Sequence, residues 1–335
     1  VVFQRTPTYA VPAHNRPLDP DEVEAVKARY PELRAEARQM SIATGSRVPR
    51  TERSALEPAA AERTALYEEA WGRGGLTFLG TFNDLLLSPE ANETAAEFVR
   101  GKIRRLVGDP DVAERLTPDQ IIGCKRLCVD TGYYATFDRP NVRLVDLRTT
   151  PIETVTPTGM RLRGDDGSFE DVALDVIVLA TGFDAMTGAL ERIDVRGRDG
   201  RTLRDAWAEG PRTYLGLAVH GFPNLFTVTG PGSPSVLTNM IVSIEHHVDW
   251  IADALAHVAA EGHTTIEADE QAQADWSAYV NAVADLTLFP SCGSWYLGAN
   301  VPGKPRQFMP LPGFPEYVAA VDDVVSDSYR GFTFA

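Results

Sequence analysis

The sequence predicts an α/β protein, on three observations. Val176-Ile177-Val178-Leu179-Ala180 is a continuous apolar run, the pattern of a strand covered on both faces. Leu225-Phe226-Thr227-Val228-Thr229 reads as another strand, followed by the loop Gly230-Pro231-Gly232-Ser233-Pro234-Ser235 and a helix over about 237–260. The chain has 335 residues, 44% hydrophobic and 24% charged, enough for two domains or one large α/β body and incompatible with a wholly disordered chain.

The elements follow in order. Val1-Val2-Phe3-Gln4-Arg5-Thr6 reads as a buried strand already in progress, closed by Pro7. With no initial Met and no basic-then-apolar leader, it suggests the C-terminal part of something longer. Asp19-Pro20 supplies an N-cap and first helical position for a helix to about Arg38, with Asp21, Glu22 and Glu24 suiting its dipole. Residues 39–53 are polar and expected to be irregular. Helices are expected over 54–72 and 93–107, the second with Ala95, Phe98, Val99, Ile103 and Leu106 on one stripe. Strands are expected over 126–129, 141–145, 152–156, 160–163 and 175–181, with turn chemistry at Thr156-Pro157-Thr158-Gly159. After the 237–260 helix come a helix over 268–286, a Gly/Pro-rich loop over 290–314 and a last helix over 316–326.

Charge and cysteine usage narrow the function classes. Lys+Arg 32 against Asp+Glu 47 give 32 − 47 = −15, which argues against a nucleic-acid partner. Three cysteines without a C-x-x-C give neither a disulfide framework nor a zinc site; Cys124 and Cys128 read as small core residues, and a cytoplasmic setting is expected. No apolar run approaches the ~18 residues of a membrane-spanning helix. The six histidines show no ligand pattern, so no metal is expected, and the sequon Asn92-Glu93-Thr94 reads as chance.

Two places could carry chemistry. The Gly230–Ser235 loop opens a helix, whose unpaired N–H groups and positive dipole end favour an anionic ligand or cofactor edge. Its spacing is neither a P-loop, a G-x-G-x-x-G nor a G-x-S-x-G, and an ordinary strand–helix turn is the simpler reading. Lys125-Arg126 puts a movable and a fixed cation where a loop enters a strand. The pair suits a phosphate or a developing oxyanion, or is simply a solvated charge pair.

Several segments in order along the chain resemble one family. They are Val2–Pro7, Lys125-Arg126-Leu127 with Asp130 and Tyr133-Tyr134, Phe137–Val142, Leu179–Ala185, Gly210–Gly216, Gly230–Ser235 and Ser294–Arg306. Their Ala-Thr-Gly-Phe and Gly-Ala-Asn-Val-Pro-Gly-Lys stretches are specific. The chain resembles the C-terminal two-thirds of a Baeyer–Villiger flavin monooxygenase of the phenylacetone/cyclohexanone monooxygenase type.

The resemblance implies two Rossmann-like dinucleotide-binding domains, both incomplete here. Residues 1–182 would be the C-terminal part of an NADP-binding domain with a helical insertion over about 15–115, and 183–335 the C-terminal part of an FAD-binding and substrate domain. The cofactors implied are FAD and NADPH, and the partners O2 and a small-molecule ketone, which gains one oxygen atom to give an ester or lactone. Arg126 matches the family's active-site arginine, and Arg5, Thr6 and Lys125 the positions that meet the NADPH 2′-phosphate. Trp295 matches a loop tryptophan on the nicotinamide side, and Ser235, Val236 and Leu237 a substrate-pocket loop. Met240 would sit at the flavin ring, and Thr181-Gly182 at a strand end between the domains. The family's two G-x-G-x-x-G loops and its fingerprint do not occur in this sequence, so an N-terminal FAD-binding segment is missing and the chain alone should hold FAD weakly or not at all. An N- or S-oxygenating flavin monooxygenase, or a catalytically silent fragment, are the alternatives.

Overall fold

A computed structural model of the protein describes residues 1–41, 51–305 and 313–335. The chain divides into two compact units. The first comprises residues 1–15, 53–85 and 90–183; the second comprises the described residues of 16–52, 86–89 and 184–335. Residues 16–41, expected within an insertion of the first domain, therefore group with the second unit.

In the first unit, Val2–Gln4 (β1) pairs in parallel with Leu144–Asp146 (β4), Val2 opposite Leu144, and Ala10–Pro12 (β2) pairs in parallel with Cys128–Asp130 (β3), Ala10 opposite Cys128. Ile152–Thr156 (β5), Gly159–Arg163 (β6) and Phe169–Ala173 (β7) form an antiparallel meander. The sequence reading missed β7, whose Phe-Glu-Asp-Val-Ala pattern is poor in strand formers. Its register buries Val172 beside Leu162 and sets Asp171 directly opposite Arg161, whose guanidinium Nε reaches the carboxylate at 2.7 Å. Leu162 and Val172 bury one face of the meander against Val145.

The helices Ala60–Arg73 (α3), Pro89–Leu106 (α4) and Pro110–Leu116 (α5) build the larger core of this unit. Tyr67 stands among Phe78, Phe82 and Phe98, with ring centroids 5.3–5.5 Å apart. Ala95, Val99 and Ile103 face inward from α4 as their spacing predicts, whereas Leu106 is exposed at its end. Asn92, on the same buried face, is only 2% exposed. Its side-chain amide donates to the carbonyls of Leu85 (2.7 Å) and Ile122 (2.9 Å), and its oxygen accepts from the Ile122 amide (3.1 Å). The sequon asparagine is thus a buried tie between α4 and the segment that leads to Lys125 and Arg126.

The expected strand over 175–181 is not one. Residues 176–181 have no ladder partner among the described residues, and Val178 (83%) and Phe183 (89%) are exposed. A run covered on both faces needs flanking strands, and none of the described strands flanks this one.

The second unit is mainly helical. Pro20–Ala28 (α1) and Tyr30–Arg38 (α2) replace one expected helix, broken at Arg29 because Pro31 disfavours continuation through Tyr30. Neither buries a residue, and α2 is held by an Arg34–Glu245 ion pair of 2.5 Å. Short helices Gly188–Glu191 (α6) and Leu203–Ala206 (α7) precede the long Met240–Ala260 (α8). Glu270–Asp285 (α9) and Phe314–Ser326 (α10) pack on α8, and Ile266–Ala268 (β8) pairs antiparallel with Phe332–Phe334 (β9). Trp250, Ala254 and Val258 of α8 meet Trp276 and Val280 of α9 and Tyr317 and Val321 of α10 in the core. The opposite face of α8 is also apolar: Ile241 is 65% exposed, and Val248 and Leu255 follow at seven-residue intervals.

The strand expected over 225–229 reduces to one bridge between Phe226 and Ala218. The Thr227 hydroxyl turns onto the Gly216 carbonyl (2.9 Å) and Thr229 takes a positive φ of 53°, curling the chain before a ladder can extend. Residues 42–50 and 306–312, parts of the expected irregular stretch and of the 290–314 loop, lie outside the described residues. No helix among the described residues is long and apolar enough to cross a membrane.

Removing the Asn92 amide strands three buried backbone groups. Asn92→Ala is expected to lower unfolding stability by about 3 kcal/mol, at roughly 1 kcal/mol per orphaned group, measured by urea titration. A loss below about 1 kcal/mol would mean water replaces the amide.

Candidate functional site

Apart from Thr181 and Gly182, the predicted residues fall on two places, one in each unit. In the first unit, β2 and β3 run parallel, so the residues that precede each strand share one edge. Extending the Ala10–Cys128 register two residues back sets Thr8 beside Arg126, and the Cys128 amide donates to the Tyr9 carbonyl at 3.3 Å. Arg5 and Thr6 occupy the link from β1 to β2, and Lys125 and Arg126 the entry to β3. Arg5, Thr6 and Arg126 are exposed and Lys125 is half-buried. Among the described residues neither Arg5 nor Lys125 has a carboxylate partner.

The edge is held by buried tyrosines. The Tyr134 hydroxyl accepts from the Ala10 amide (3.1 Å) and donates to the Thr8 carbonyl (3.2 Å). Tyr9 donates to the Gln120 carbonyl (2.8 Å), and the Gln120 side chain returns to the Pro7 carbonyl (3.1 Å). Burial raises the pKa of both tyrosines, so both remain protonated donors. Thr181 and Gly182 lie instead on the exposed run that ends this unit.

In the second unit, Gly230–Ser235 is entirely buried, which obliges its polar groups to find partners within the protein. Thr213 donates to the Pro231 carbonyl (2.6 Å), Trp276 Nε1 to the Gly232 carbonyl (3.1 Å), and the Ser233 hydroxyl to the Gly230 carbonyl (2.7 Å). Gly216, at φ 72°, lies directly beneath: a Cβ there would be 2.5 Å from the Ser233 amide nitrogen. From this frame Ser235, Val236 and Leu237 emerge as a single 3₁₀ turn. Ser235 is buried at a φ of 44°, so Val236 presents more surface than the serine does. Leu237 and Val236 share an apolar cluster with Phe289, Tyr296 and Trp295. Met240 begins α8, where the Asn239 side chain already caps the Ile241 amide at 3.1 Å. The simpler reading of the loop as a built-in strand–helix turn thus describes its backbone, and the capped helix end offers fewer free donors than expected.

The sequence reading missed the group that closes this frame. His247 is fully buried on α8; its Nδ1 accepts from the Thr229 amide (2.8 Å) and its Nε2 meets the Tyr317 hydroxyl (2.8 Å), which donates to the Leu215 carbonyl (2.8 Å). A backbone amide can only donate, so the imidazole proton sits on Nε2. The signal was present: residue 247 lies on the same helical face as Ser243, Trp250, Ala254 and Val258. A second missed contact is the ion pair between Lys304 and Asp184. Elsewhere, an open surface cavity is lined by Arg198, His220 and Glu267. Its buried carboxylate is satisfied by Arg198 (2.7 Å) and the Gly221 amide (2.8 Å), and it includes none of the predicted residues.

Burial, with His246 alongside, pulls the His247 pKa down to about 3, from about 6.5 in the unfolded chain. Between those values the unfolded state binds a proton that the folded state does not, so stability falls as pH falls through 6.5 toward 3. This group is expected to cost about 2 kcal/mol between pH 6.5 and 5, at ~1.4 kcal/mol per pH unit. Urea titrations at pH 7 and 5 should show a smaller loss in His247→Gln, which cannot charge. An equal loss in both proteins would contradict a neutral, buried His247.

No protein-family model matches the chain. It is 38% identical over 337 residues to cyclohexanone 1,2-monooxygenase of Acinetobacter sp, covering 99% of this chain and 60% of that protein. It is 39% identical over 331 residues to a Baeyer–Villiger monooxygenase of Pseudooceanicola batsensis, covering 98% of this chain and 59% of the other. Its fold superimposes on the crystal structure of OTEMO in complex with FAD and NADP with a TM-score of 0.92 at 38% identity, over 99% of this chain and 61% of that one. The chain spans about three-fifths of the length of the relatives it matches. Along almost its whole length, the chain is therefore a relative of the Baeyer–Villiger monooxygenases.

Proposed function

We propose that the chain is part of an FAD- and NADPH-dependent Baeyer–Villiger monooxygenase. The reaction would convert a ketone, O2, NADPH and a proton to an ester or lactone, water and NADP+. The observation that carries this reading is the β2–β3 pairing, which puts Lys125 and Arg126 at the entry to β3 beside the segment that leads from Arg5 and Thr6 into β2. Two cations without carboxylate partners among the described residues suit the 2′-phosphate that distinguishes NADPH from NADH, since charge-assisted bonds to phosphate are the strong ones. Arg126 adds a permanent positive charge on the same edge, able to stabilise an anionic oxygen without a proton to lose. A bound flavin would supply the activation of dioxygen.

Within the second unit, Val236, Leu237 and Trp295 offer an apolar wall for the hydrocarbon body of a ketone, and the hydrogen-bonded loop behind them keeps that wall in place. Met240 at the start of α8 is the position we assign to the flavin ring. Thr181 and Gly182, at the end of the exposed run, mark the boundary between an NADP-binding part, 1–182, and an FAD and substrate part, 183–335. An FAD-binding segment, matching the two-fifths of the relatives that this chain does not span, would cover the exposed apolar faces at Val176–Phe183 and along Ile241, Val248 and Leu255.

The test is made in the complete protein with phenylacetone as the ketone. Lys125→Ala is expected to raise the KM for NADPH about tenfold or more, from a contact of roughly 1.5–3 kcal/mol, while leaving the KM for NADH nearly unchanged. Arg126→Ala should lower ester formation about 100- to 1000-fold with the fold retained by circular dichroism. Equal shifts for both nicotinamides, or ester formed by Arg126→Ala at near wild-type rate, would contradict the reading.

A further inference from the structure

The Trp295 segment is anchored at two points inside the second unit. At one end Tyr296 and Leu297 are buried in the apolar cluster with Leu237 and Phe289. At the other, Lys304 reaches across the fold to Asp184, 120 residues away in sequence. The Lys304 side chain is only 7% exposed, so its ammonium has this partner in place of most of its water. Its ammonium also lies 3.4 Å from the Ala185 carbonyl, which accepts from the Thr187 amide at 2.9 Å.

The receiving end is shaped for the carboxylate. Met186 takes a positive φ of 66°, folding 184–188 into a tight turn that brings Asp184 over Gly188. A Cβ on Gly188 would stand 2.3 Å from the Asp184 carboxyl carbon, so any other residue there would displace the acceptor. Between the two anchors the chain makes successive short turns, with Leu297 N to Ser294 O at 3.0 Å, Val301 N to Gly298 O at 3.1 Å and Lys304 N to Val301 O at 3.2 Å. Ala299, Asn300, Pro302 and Gly303 lie exposed on them. A segment of turns and exposed residues has little packing of its own, and its position follows from whatever holds its ends.

We infer that the Asp184–Lys304 ion pair is a latch that fixes the Trp295 segment. Asp184 and Lys304 are positioning residues: they act by placing Trp295 and the turn that follows it. Losing either partner leaves a charge in a site built for two, and the segment swings out to hydrate it. The consequence for turnover rests on the monooxygenase reading, in which Trp295 meets the nicotinamide side. The latch itself does not.

The experiment is hydrogen exchange by mass spectrometry on the 335-residue chain, following peptides within 293–305. Asp184→Asn and Lys304→Gln should each speed exchange there about tenfold or more, with α8, α9 and α10 unchanged. The double variant should exchange no faster than either single, because both remove one interaction. Gly188→Ala, which leaves both charges in place, should give the same local acceleration by displacing the carboxylate, and Lys304→Arg should exchange close to wild type. Unchanged exchange in both single variants, or acceleration spread evenly over the second unit, overturns the latch. In the complete protein, Asp184→Asn should raise the KM for NADPH about tenfold and leave kcat within about twofold. An unchanged KM alongside faster exchange would overturn the positioning role. Exchange is read without cofactor or turnover, so failure of the latch and failure of the monooxygenase reading are told apart.

Discussion

Burying the Gly230–Ser235 loop is the constraint on which the second unit depends. A loop inside a protein has to satisfy every amide and carbonyl without water, and here each partner comes from a different element: Thr213 from the preceding segment, Trp276 from α9, His247 from α8. Tyr317 of α10 and the Leu215 carbonyl complete the chain of donors and acceptors through His247. The network therefore fixes the loop and, with it, the relative placement of three helices. A charged imidazole would carry a hydrogen on the nitrogen that must accept from Thr229, so the frame requires His247 to be neutral.

What the loop presents follows from this frame. Ser235 is held in a strained turn, which directs Val236 and Leu237 into the cluster that holds Trp295. The first unit solves a comparable problem with tyrosines. Tyr9 and Tyr134 bind the backbone around the link from β1 to β2, so the flexible cations Arg5 and Lys125 project from a rigid edge.

Much of this was legible before the structure. The helices carry their own signals: Asp19 caps α1 as its residue type predicts, and the stripe on α4 faces the core where its spacing puts it. Lys125 and Arg126 stood out as a cation pair at a strand entry, whereas Arg5, Thr6 and the Val236–Trp295 residues came from the family resemblance. The misses have local causes. The run Val176–Ala180 has the composition of a central strand, but composition does not supply neighbours, and the run stands exposed. The 225–229 strand was lost to a threonine hydroxyl that competes for the backbone at Gly216. The buried face of α8 marked His247 as interior, but its partner and that of Lys304 lie 70 and 120 residues away, where periodicity does not reach.

The central proposal is that this chain is part of an enzyme that places one oxygen atom of O2 beside a ketone carbonyl. The most direct measurement is turnover of the complete protein with phenylacetone and NADPH under oxygen-18 gas, with mass spectrometry of the products. The account predicts an ester carrying a single oxygen-18 atom. Unlabelled ester, or no ester while an added amine or sulfide acquires the label, would contradict it.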